Sequence, residues 1–188
     1  LARMHPTPRL VLDTNCLIDL DENRADAPHS RSLIAAARTD RIELAIAAVS
    51  ASENQPGGAI IHNFQEFQER LDRLLVGHLP QLLPLATWDV GFWDHMLWAS
   101  DEMEALATNL RAVLFPGEVG PVIAADGRIS PRWRNRNCDV MVAWCCIHHD
   151  WKQLVTSDVN FHAHRTELAH LGLSAVLHPC DAAQLHAR

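Results

Sequence analysis

The sequence contains very little lysine and no long apolar run. Lys152 is the only lysine among 16 basic residues, so nearly all the positive charge is arginine, which favours planar, bidentate contacts with phosphate or carboxylate. The formal net charge of -7 argues against a surface that coats nucleic acid everywhere, although it leaves room for a local basic groove. No apolar run reaches the length of a membrane span, and the first residues show no signal-peptide pattern. We therefore expect a cytoplasmic protein without a membrane partner.

Cysteine-pairing motifs are also missing. The chain has five cysteines, an odd number, with no CxxC motif and with two of them adjacent at Cys145 and Cys146. We expect reduced, mostly buried thiols instead of a disulfide framework. Cys145 and His149 have the spacing of two zinc ligands on one helix face, but the sequence offers no second pair to complete the site.

Short apolar segments alternate with helical patterns along the 188 residues. This alternation predicts an α/β fold in which helices flank a central parallel sheet of about five strands, formed by one domain over residues 1–188. An enlarged helical insert is predicted at roughly 54–137, and its last part, 116–131, is rich in glycine and proline and reads as a long loop. The predicted strands cover residues 10–12, 42–49, 79–86 at a sheet edge, 153–156 and 174–177.

Four acidic residues follow the apolar segments or are predicted to begin a helix. Asp13 and Asp158 end predicted strands, and Glu53 and Asp139 are predicted at helix starts. Because parallel strands bring their carboxyl ends to one sheet edge, where ligands bind in open α/β folds, all four can face one crevice. Each acid alone also has a simpler explanation as a turn or cap residue, including a capping box from Ser50 to Glu53.

Carboxylates gathered at one place repel one another, and some would take up protons unless a cation intervened. Mg²⁺ prefers oxygen ligands, keeps several waters and commonly binds phosphate, and Mn²⁺ accepts the same ligands. The pattern therefore indicates metal-assisted attack of water on a phosphodiester, with one metal ion or with two ions about 3.5–4 Å apart.

Other functional classes fit the first motif less well. Haloacid-dehalogenase-like phosphatases need a second aspartate two residues after the nucleophile, where this chain has Asn15. A receiver-like signalling domain needs paired acids before the phosphorylated aspartate and a late lysine. A catalytically silent module that binds RNA or protein remains an alternative, although the presence of all four acids favours an enzyme.

The sequence resembles the PIN domain family. The resemblance is carried by Leu-Val-Leu-Asp-Thr-Asn at 10–15, by Glu53 and Asp139, and by Leu-Val-Thr-Ser-Asp-Val-Asn-Phe at 154–161. PIN domains are metal-dependent ribonucleases, and many bacterial members are VapC-type toxins held by an antitoxin. The resemblance thus implies an endoribonuclease that hydrolyses RNA with a metal-activated water, and a toxin paired with an antitoxin protein.

The resemblance also implies roles for individual residues. Asp13, Glu53, Asp139 and Asp158 would be catalytic and would hold Mg²⁺ or Mn²⁺, while Asn15 and Thr156 would support the carboxylates.

Two departures from the family pattern concern the acids and the chain length. Position 160 is Asn160 where many members have a further acid, which implies a supporting role and a weaker second metal site. The segment 54–137 is longer than in compact toxins, which weakens the toxin assignment more than the nuclease assignment.

A basic segment precedes Asp139. Alternating arginines around one aromatic residue suit single-stranded RNA, because guanidinium groups contact phosphate and flat side chains stack on bases. The alternative is a solvated loop with one buried tryptophan. The predicted RNA-binding residues are Arg132, Trp133, Arg134 and Arg136.

Histidines and tryptophans supply the remaining candidates. His162 and His164 follow Asp158 and could reach a phosphate, or they are ordinary residues at a helix start. An aromatic cluster in the insert predicts core packing, or the interface of a homodimer or of an antitoxin complex, because interfaces are enriched in tryptophan. Its members are Trp88, Phe92, Trp93 and Trp98.

Overall fold

A computed structural model describes residues 7–53, 61, 63–87, 92–118, 120–121, 123 and 129–186. Its centre is a parallel sheet of five strands, in the order β3-β2-β1-β4-β5. The central strand β1 pairs with β2 through Leu10 and Leu44, and with β4 through Val11 and Leu154. This sheet confirms the α/β fold predicted from the alternating pattern. The strands are β1 (Arg9–Leu12), β2 (Glu43–Ala47), β3 (Gln81–Leu82), β4 (Gln153–Val155) and β5 (Ala175–Leu177).

Eight α-helices flank the sheet within the described residues. Short 3-10 helices at Ala48–Ala51 and Trp93–His95 follow β2 and precede α4. None of the described helices combines the length and apolar character that a membrane crossing requires. The helices are α1 (Thr14–Glu22), α2 (Ala27–Ala37), α3 (Phe64–Arg73), α4 (Asp101–Leu114), α5 (Pro131–His148), α6 (Val159–Ala163), α7 (Arg165–His170) and α8 (Pro179–His186).

Two hydrophobic cores lie on opposite faces of the sheet, because successive side chains of a strand point to opposite faces. Val11 of β1 packs into the first core, whereas its neighbours Leu10 and Leu12 pack into the second. The first core holds the buried residues of α4 and α5, and the second holds those of α1, α2 and α3. Burial on both faces explains why the strands read as continuous apolar runs.

The helix α5 begins earlier than the sequence predicted. The Ser130 side chain accepts a hydrogen bond from the backbone N–H of Trp133 at 3.2 Å, and Pro131 occupies the first turn, where its missing N–H has no cost. The predicted helix start at Asp139 is therefore wrong, since Asp139 lies inside α5. The polar residues 132–137 hid this start because they interrupt the apolar pattern.

The stretch predicted as an insert adds both helices and a strand. It supplies α3, α4, the edge strand β3 and the first turns of α5. The predicted edge strand at 79–86 is confirmed by Gln81–Leu82, which pairs in parallel with β2. Residues 54–60, 88–91 and 124–128 of this stretch lie outside the described residues, and Trp88 is among them.

Candidate functional site

Asp13 lies directly after the central strand and is held from several sides. Its backbone N–H donates to the carbonyl of Val155 at 3.0 Å, which continues the pairing of β1 with β4. Its Oδ1 accepts from the Thr14 N–H at 2.8 Å, so Asp13 is the N-cap of α1. Its Oδ2 accepts from the Asn15 side-chain amide at 3.3 Å. The side chain is only 3% exposed, so this carboxyl group is fixed before any ligand arrives.

Thr156 connects the two acids that follow neighbouring strands. Its hydroxyl donates to Asp13 Oδ2 at 2.6 Å and accepts from the backbone N–H of Asp158 at 3.0 Å. The residue is completely buried just past β4. These are the contacts expected of a residue that supports the carboxylates.

Asp158 caps the next helix in the same manner. Its Oδ1 accepts from the backbone N–H of Asn160 at 2.7 Å, which makes Asp158 the N-cap of α6. The side-chain amide of Asn160 points elsewhere and donates to the carbonyl of Leu114 at 3.2 Å, at the end of α4. Asn160 therefore contacts Asp158 through its backbone, while its side chain ties the loop to α4.

Glu53 reaches the site from the end of β2. Ser50 belongs to the short 3-10 helix Ala48–Ala51, and the capping box expected from Ser50 to Glu53 stays a prediction. The Ser50 hydroxyl accepts a buried hydrogen bond of 2.7 Å from the hydroxyl of Thr14, and Thr14 in turn hydrogen-bonds Glu53. This Ser50–Thr14 contact could not be expected from local patterns, because it joins residues 36 positions apart.

Arg70 was also not identified from the sequence. It is 5% exposed on α3, and its Nε donates to Asp21 Oδ2 at 2.5 Å, which connects α3 to α1. Its positive charge acts to lower the pKa of Glu53. Within the helical pattern of α3 an arginine is an ordinary surface residue, so only the packing reveals its position near the acids.

Asp139 faces the same region from inside α5. This helix packs against β2, β4 and the 3-10 helix Ala48–Ala51, which brings its polar residues toward the carboxyl ends of the strands. The Arg136 guanidinium, one turn earlier on α5, acts to lower the pKa of Asp139.

The charges of the four acids act on one another. Burial, offset in part by the hydrogen bond from Thr156, raises the pKa of Asp13 to about 6. Burial and the nearby charge of Asp13 raise the pKa of Glu53 to about 8. Burial and the charge of Glu53 raise the pKa of Asp139 to about 9, and Asp158 adds to the repulsion at all three. The expected gathering of acids at one sheet edge is thus visible in their mutual electrostatics.

The donor set has the chemistry of a site for a hard divalent cation, because its atoms are carboxylate and hydroxyl oxygens. Among the described residues, which include all four acids, no three Asp, Glu, His or Cys side chains stand close enough together to hold a metal ion. Mg²⁺ commonly keeps several waters and binds through one or two carboxylates. The residues therefore suit a cation that keeps several of its waters, and they do not surround the cation on all sides.

The zinc alternative at Cys145 and His149 has no support in the described residues. The Cys145 thiol contacts the carbonyl of Leu82 at 3.7 Å, and His149 Nε2 contacts the carbonyl of Leu83 at 2.9 Å. Both side chains contact backbone carbonyls, one in the edge strand β3 and one directly after it.

The predicted RNA-binding segment is helical, and its aromatic residue is not available to a base. Trp133 is 7% exposed in the first core, with the Arg111 guanidinium 5.0 Å from its ring centre. Arg136 pairs with Glu118 at 2.8 Å, whereas Arg132 is exposed. The alternative of a buried tryptophan is therefore observed, in a helix instead of a loop, and the predicted contact of this segment with RNA stays a prediction.

His162 lies beside the acids but is already engaged. Its Nε2 contacts the carbonyl of Thr156 at 2.9 Å, so its contact in this structure supports the loop before Asp158. His164 lies between α6 and α7, at the cap position that the two short helices share.

We expect the hydroxyl of Thr156 to matter more than its shape. Replacing Thr156 with Val keeps the volume but removes the donor to Asp13 and the acceptor for the Asp158 N–H. If the site turns over a substrate, kcat should fall by about 10- to 100-fold with little change in KM, as for residues that orient metal ligands. Thr156→Ser, which keeps the hydroxyl, should restore most of the rate, and equal losses in both variants would contradict this role.

We expect Trp133 to contribute to stability. Trp133→Ala should lower the free energy of unfolding by about 3 kcal/mol, because it empties a buried volume. Arg132→Ala, one residue earlier and exposed, should change stability by less than about 0.5 kcal/mol. Denaturant unfolding of both variants measures the difference, and an unchanged midpoint for Trp133→Ala would contradict the buried position.

Comparison with protein-family models, with curated proteins and with solved structures gives no match to this chain.

Proposed function

We propose that this chain is a PIN-like, Mg²⁺- or Mn²⁺-dependent endoribonuclease that hydrolyses phosphodiester bonds in RNA. One observation carries the proposal: burial and mutual repulsion raise the pKa values of Asp13, Glu53 and Asp139 at the edge where the parallel strands end. Repulsion between fixed carboxyl groups lowers the stability of the folded protein, so stability alone does not account for this arrangement. Perturbed pKa values of this kind cluster at functional sites.

The four acids have different surroundings, which suggests a division of roles. Asp13 has the most fixed surroundings, because it is buried, caps α1 and accepts a hydrogen bond from Thr156, so it would set the position of the cation. Glu53 and Asp139 are partly exposed and would bind the cation directly or through water. A bound divalent cation would lower the pKa of water and offset negative charge that develops on the phosphodiester.

The remaining polar residues would hold the acids in place. Thr156 fixes the relative position of Asp13 and of the backbone at Asp158. Thr14 and Ser50 tie the end of β2 to the start of α1, and Asn15 restrains Asp13 Oδ2. None of these groups needs to act as a nucleophile, because water supplies the attacking oxygen in this class of chemistry.

The substrate would be RNA that reaches the site in an unpaired form. Arg132 is exposed on the first turn of α5 and Arg134 is partly exposed, so both can contact phosphate. Arg136 lies one turn before Asp139, and its pair with Glu118 holds the guanidinium in a defined position. Because Trp133 is buried, base stacking must come from elsewhere or be absent, which favours recognition through the RNA backbone.

The direct test is cleavage of a mixed pool of single-stranded and structured RNA. The wild-type protein should cut RNA with Mg²⁺ or Mn²⁺ present and should lose this activity in EDTA, with recovery when the cation is restored. Cleavage that persists at the same rate in EDTA would refute the proposed chemistry.

A catalytically silent module is the second candidate, and one observation favours it. The acids and other candidate ligands among the described residues do not form a ready metal cage. The two functions differ in one readout: a silent module retains RNA or a protein partner in a binding assay but cuts no RNA at any cation concentration.

A VapC-type toxin would be one biological form of the nuclease. The proposal then adds an antitoxin protein that blocks the acidic site. Induced expression should arrest growth, and co-expression of a small protein encoded directly beside the gene should relieve the arrest. Normal growth during expression of an active nuclease would contradict the toxin assignment while leaving the nuclease assignment intact.

A further inference from the structure

A groove of about 370 Å³ lies between α1, α2 and the end of α3, away from the four acids. Its floor is apolar and includes Ile34 and Leu74, and Leu75 stands at its edge with 63% of its surface exposed. Three arginines surround the apolar floor. They are Arg31, Arg38 and Arg73.

The arginines of the groove are held in place without being neutralised. Arg31 Nη2 donates to the side-chain oxygen of Asn23 at 2.8 Å, and Arg38 Nη2 donates to the carbonyl of Leu75 at 3.0 Å. Both acceptors are uncharged. In the described part of the chain, the ion pairs involve neither these two arginines nor Arg73. A molecule with net charge -7 thus carries one apolar groove rimmed by available positive charge.

The chain also carries a surface of complementary chemistry. Trp98 is 80% exposed and lies three residues before the start of α4. The first turn of that helix carries the exposed carboxylates of Asp101, Glu102 and Glu104. Apolar cavities of about 150 Å³ in proteins can bind benzene. The larger volume of this groove therefore has room for an indole ring. Tryptophan and arginine are the residues that most often dominate the energy of protein interfaces.

We propose that the groove binds Trp98 and the acidic first turn of α4 from a second copy of this chain. The indole would cover the apolar floor at Ile34 and Leu74, and the carboxylates would meet the arginines on the rim. A second copy is favoured as the occupant because the chain carries two complementary surfaces. One has an exposed aromatic ring beside several acids, and the other has an apolar floor beside several arginines.

The positions of the two surfaces determine the type of assembly. The helices α2 and α3 pack in the second core, whereas α4 packs in the first, so the groove and the acidic first turn of α4 belong to helices on opposite faces of the sheet. One pair of molecules cannot satisfy both surfaces by a self-complementary contact. The association is head-to-tail, and it produces rings or open chains instead of a two-fold dimer.

Sedimentation velocity over a range of protein concentrations tests the association. The wild-type protein should show a mass that rises with concentration. Arg38→Glu and Trp98→Ala should each weaken the association at least 10-fold, while Arg165→Glu, an equal charge change on the exposed surface of α7, should leave it unchanged. Thermal unfolding of Arg38→Glu should match that of Arg165→Glu, because both side chains are exposed.

A mixing experiment separates head-to-tail contact from other forms of association. The Arg38→Glu variant keeps Trp98, and the Trp98→Ala variant keeps the groove, so each alone should be monomeric. Their equimolar mixture should form a 1:1 complex and nothing larger, because only one productive contact remains.

Three results would overturn the proposal. Wild-type protein that stays monomeric up to about 1 mM would exclude a contact of useful strength. Association that survives both substitutions would place the interface elsewhere. Loss of binding to a single-stranded RNA in Arg38→Glu, with self-association unchanged or absent, would assign the groove to phosphate recognition. None of these results depends on whether the acidic site cleaves RNA.

Discussion

Replacing Asp13 with Asn is expected to lower the rate of RNA cleavage by about 1,000-fold, which corresponds to about 4 kcal/mol of lost transition-state stabilisation. The amide keeps the size of the side chain, and its single oxygen can still accept from the Thr14 N–H, but it loses the second oxygen that accepts from Thr156 and Asn15. It lacks the negative charge that would hold a divalent cation at the end of the central strand. The effect should appear in kcat, measured with saturating RNA and Mg²⁺.

A matched control for this substitution is Asp19→Asn. Asp19 lies on α1, close to Asp13 in the chain, is only 6% exposed and contacts Arg24 at 3.9 Å, but it takes no part in the acidic site. Asp19→Asn should reduce stability modestly and leave kcat within about 3-fold of wild type, which is about 0.6 kcal/mol. Equal cleavage rates for wild type and Asp13→Asn would contradict the assigned role of Asp13.

Replacing Asp139 with Asn is expected to make the metal-free protein more stable at high pH. The folded-state pKa of Asp139 is raised to about 9, well above its value in an unfolded chain. A group with a raised folded pKa gives its full contribution to stability below the unfolded pKa, near 4, and this contribution is lost as the pH rises toward the folded pKa. Wild type should therefore lose stability between about pH 5 and pH 9 relative to Asp139→Asn. With allowance for partial exposure, the relative change should be about 3 kcal/mol.

Denaturant unfolding in EDTA at several pH values measures this difference. Asp13 and Glu53 follow the same sign, because their folded pKa values are raised to about 6 and about 8. Mg²⁺ should reverse the disadvantage of the wild-type protein, adding about 2.7 kcal/mol at a concentration 100-fold above its dissociation constant. A difference between wild type and Asp139→Asn that does not change with pH would show that the carboxyl group titrates normally.

The central features of the fold could be predicted from the sequence because burial leaves a clear pattern. The strands β1 and β4 carry buried apolar residues on both faces, and these short apolar runs predicted the strands and their parallel arrangement. The buried residues are Leu10, Val11, Leu12, Leu154 and Val155. The start of α5 was missed because its first turns are polar, so only the cap at Ser130 and Pro131 marks it.

Site residues that directly follow a strand could be predicted from the sequence. Contacts that depend on packing between distant parts of the chain could not. Asp13 and Asp158 stand at strand ends, and their positions follow from the topology of a parallel sheet. The contact of Thr14 with Ser50 and the burial of Arg70 depend on tertiary packing, which local patterns do not encode. Trp133 was assigned to RNA because arginines surround it, although its aromatic ring belongs to the core.

The most direct test of the central claim is the binding of Mn²⁺ to the protein, followed by the electron paramagnetic resonance signal of the free ion. The proposal predicts that wild-type protein removes Mn²⁺ from solution, that Mg²⁺ competes for the site, and that Asp13→Asn weakens binding at least 10-fold while Asp19→Asn does not. A wild-type protein that leaves the free Mn²⁺ signal unchanged, or an Asp13→Asn variant that binds as tightly as wild type, would contradict a cation site built on these four acids.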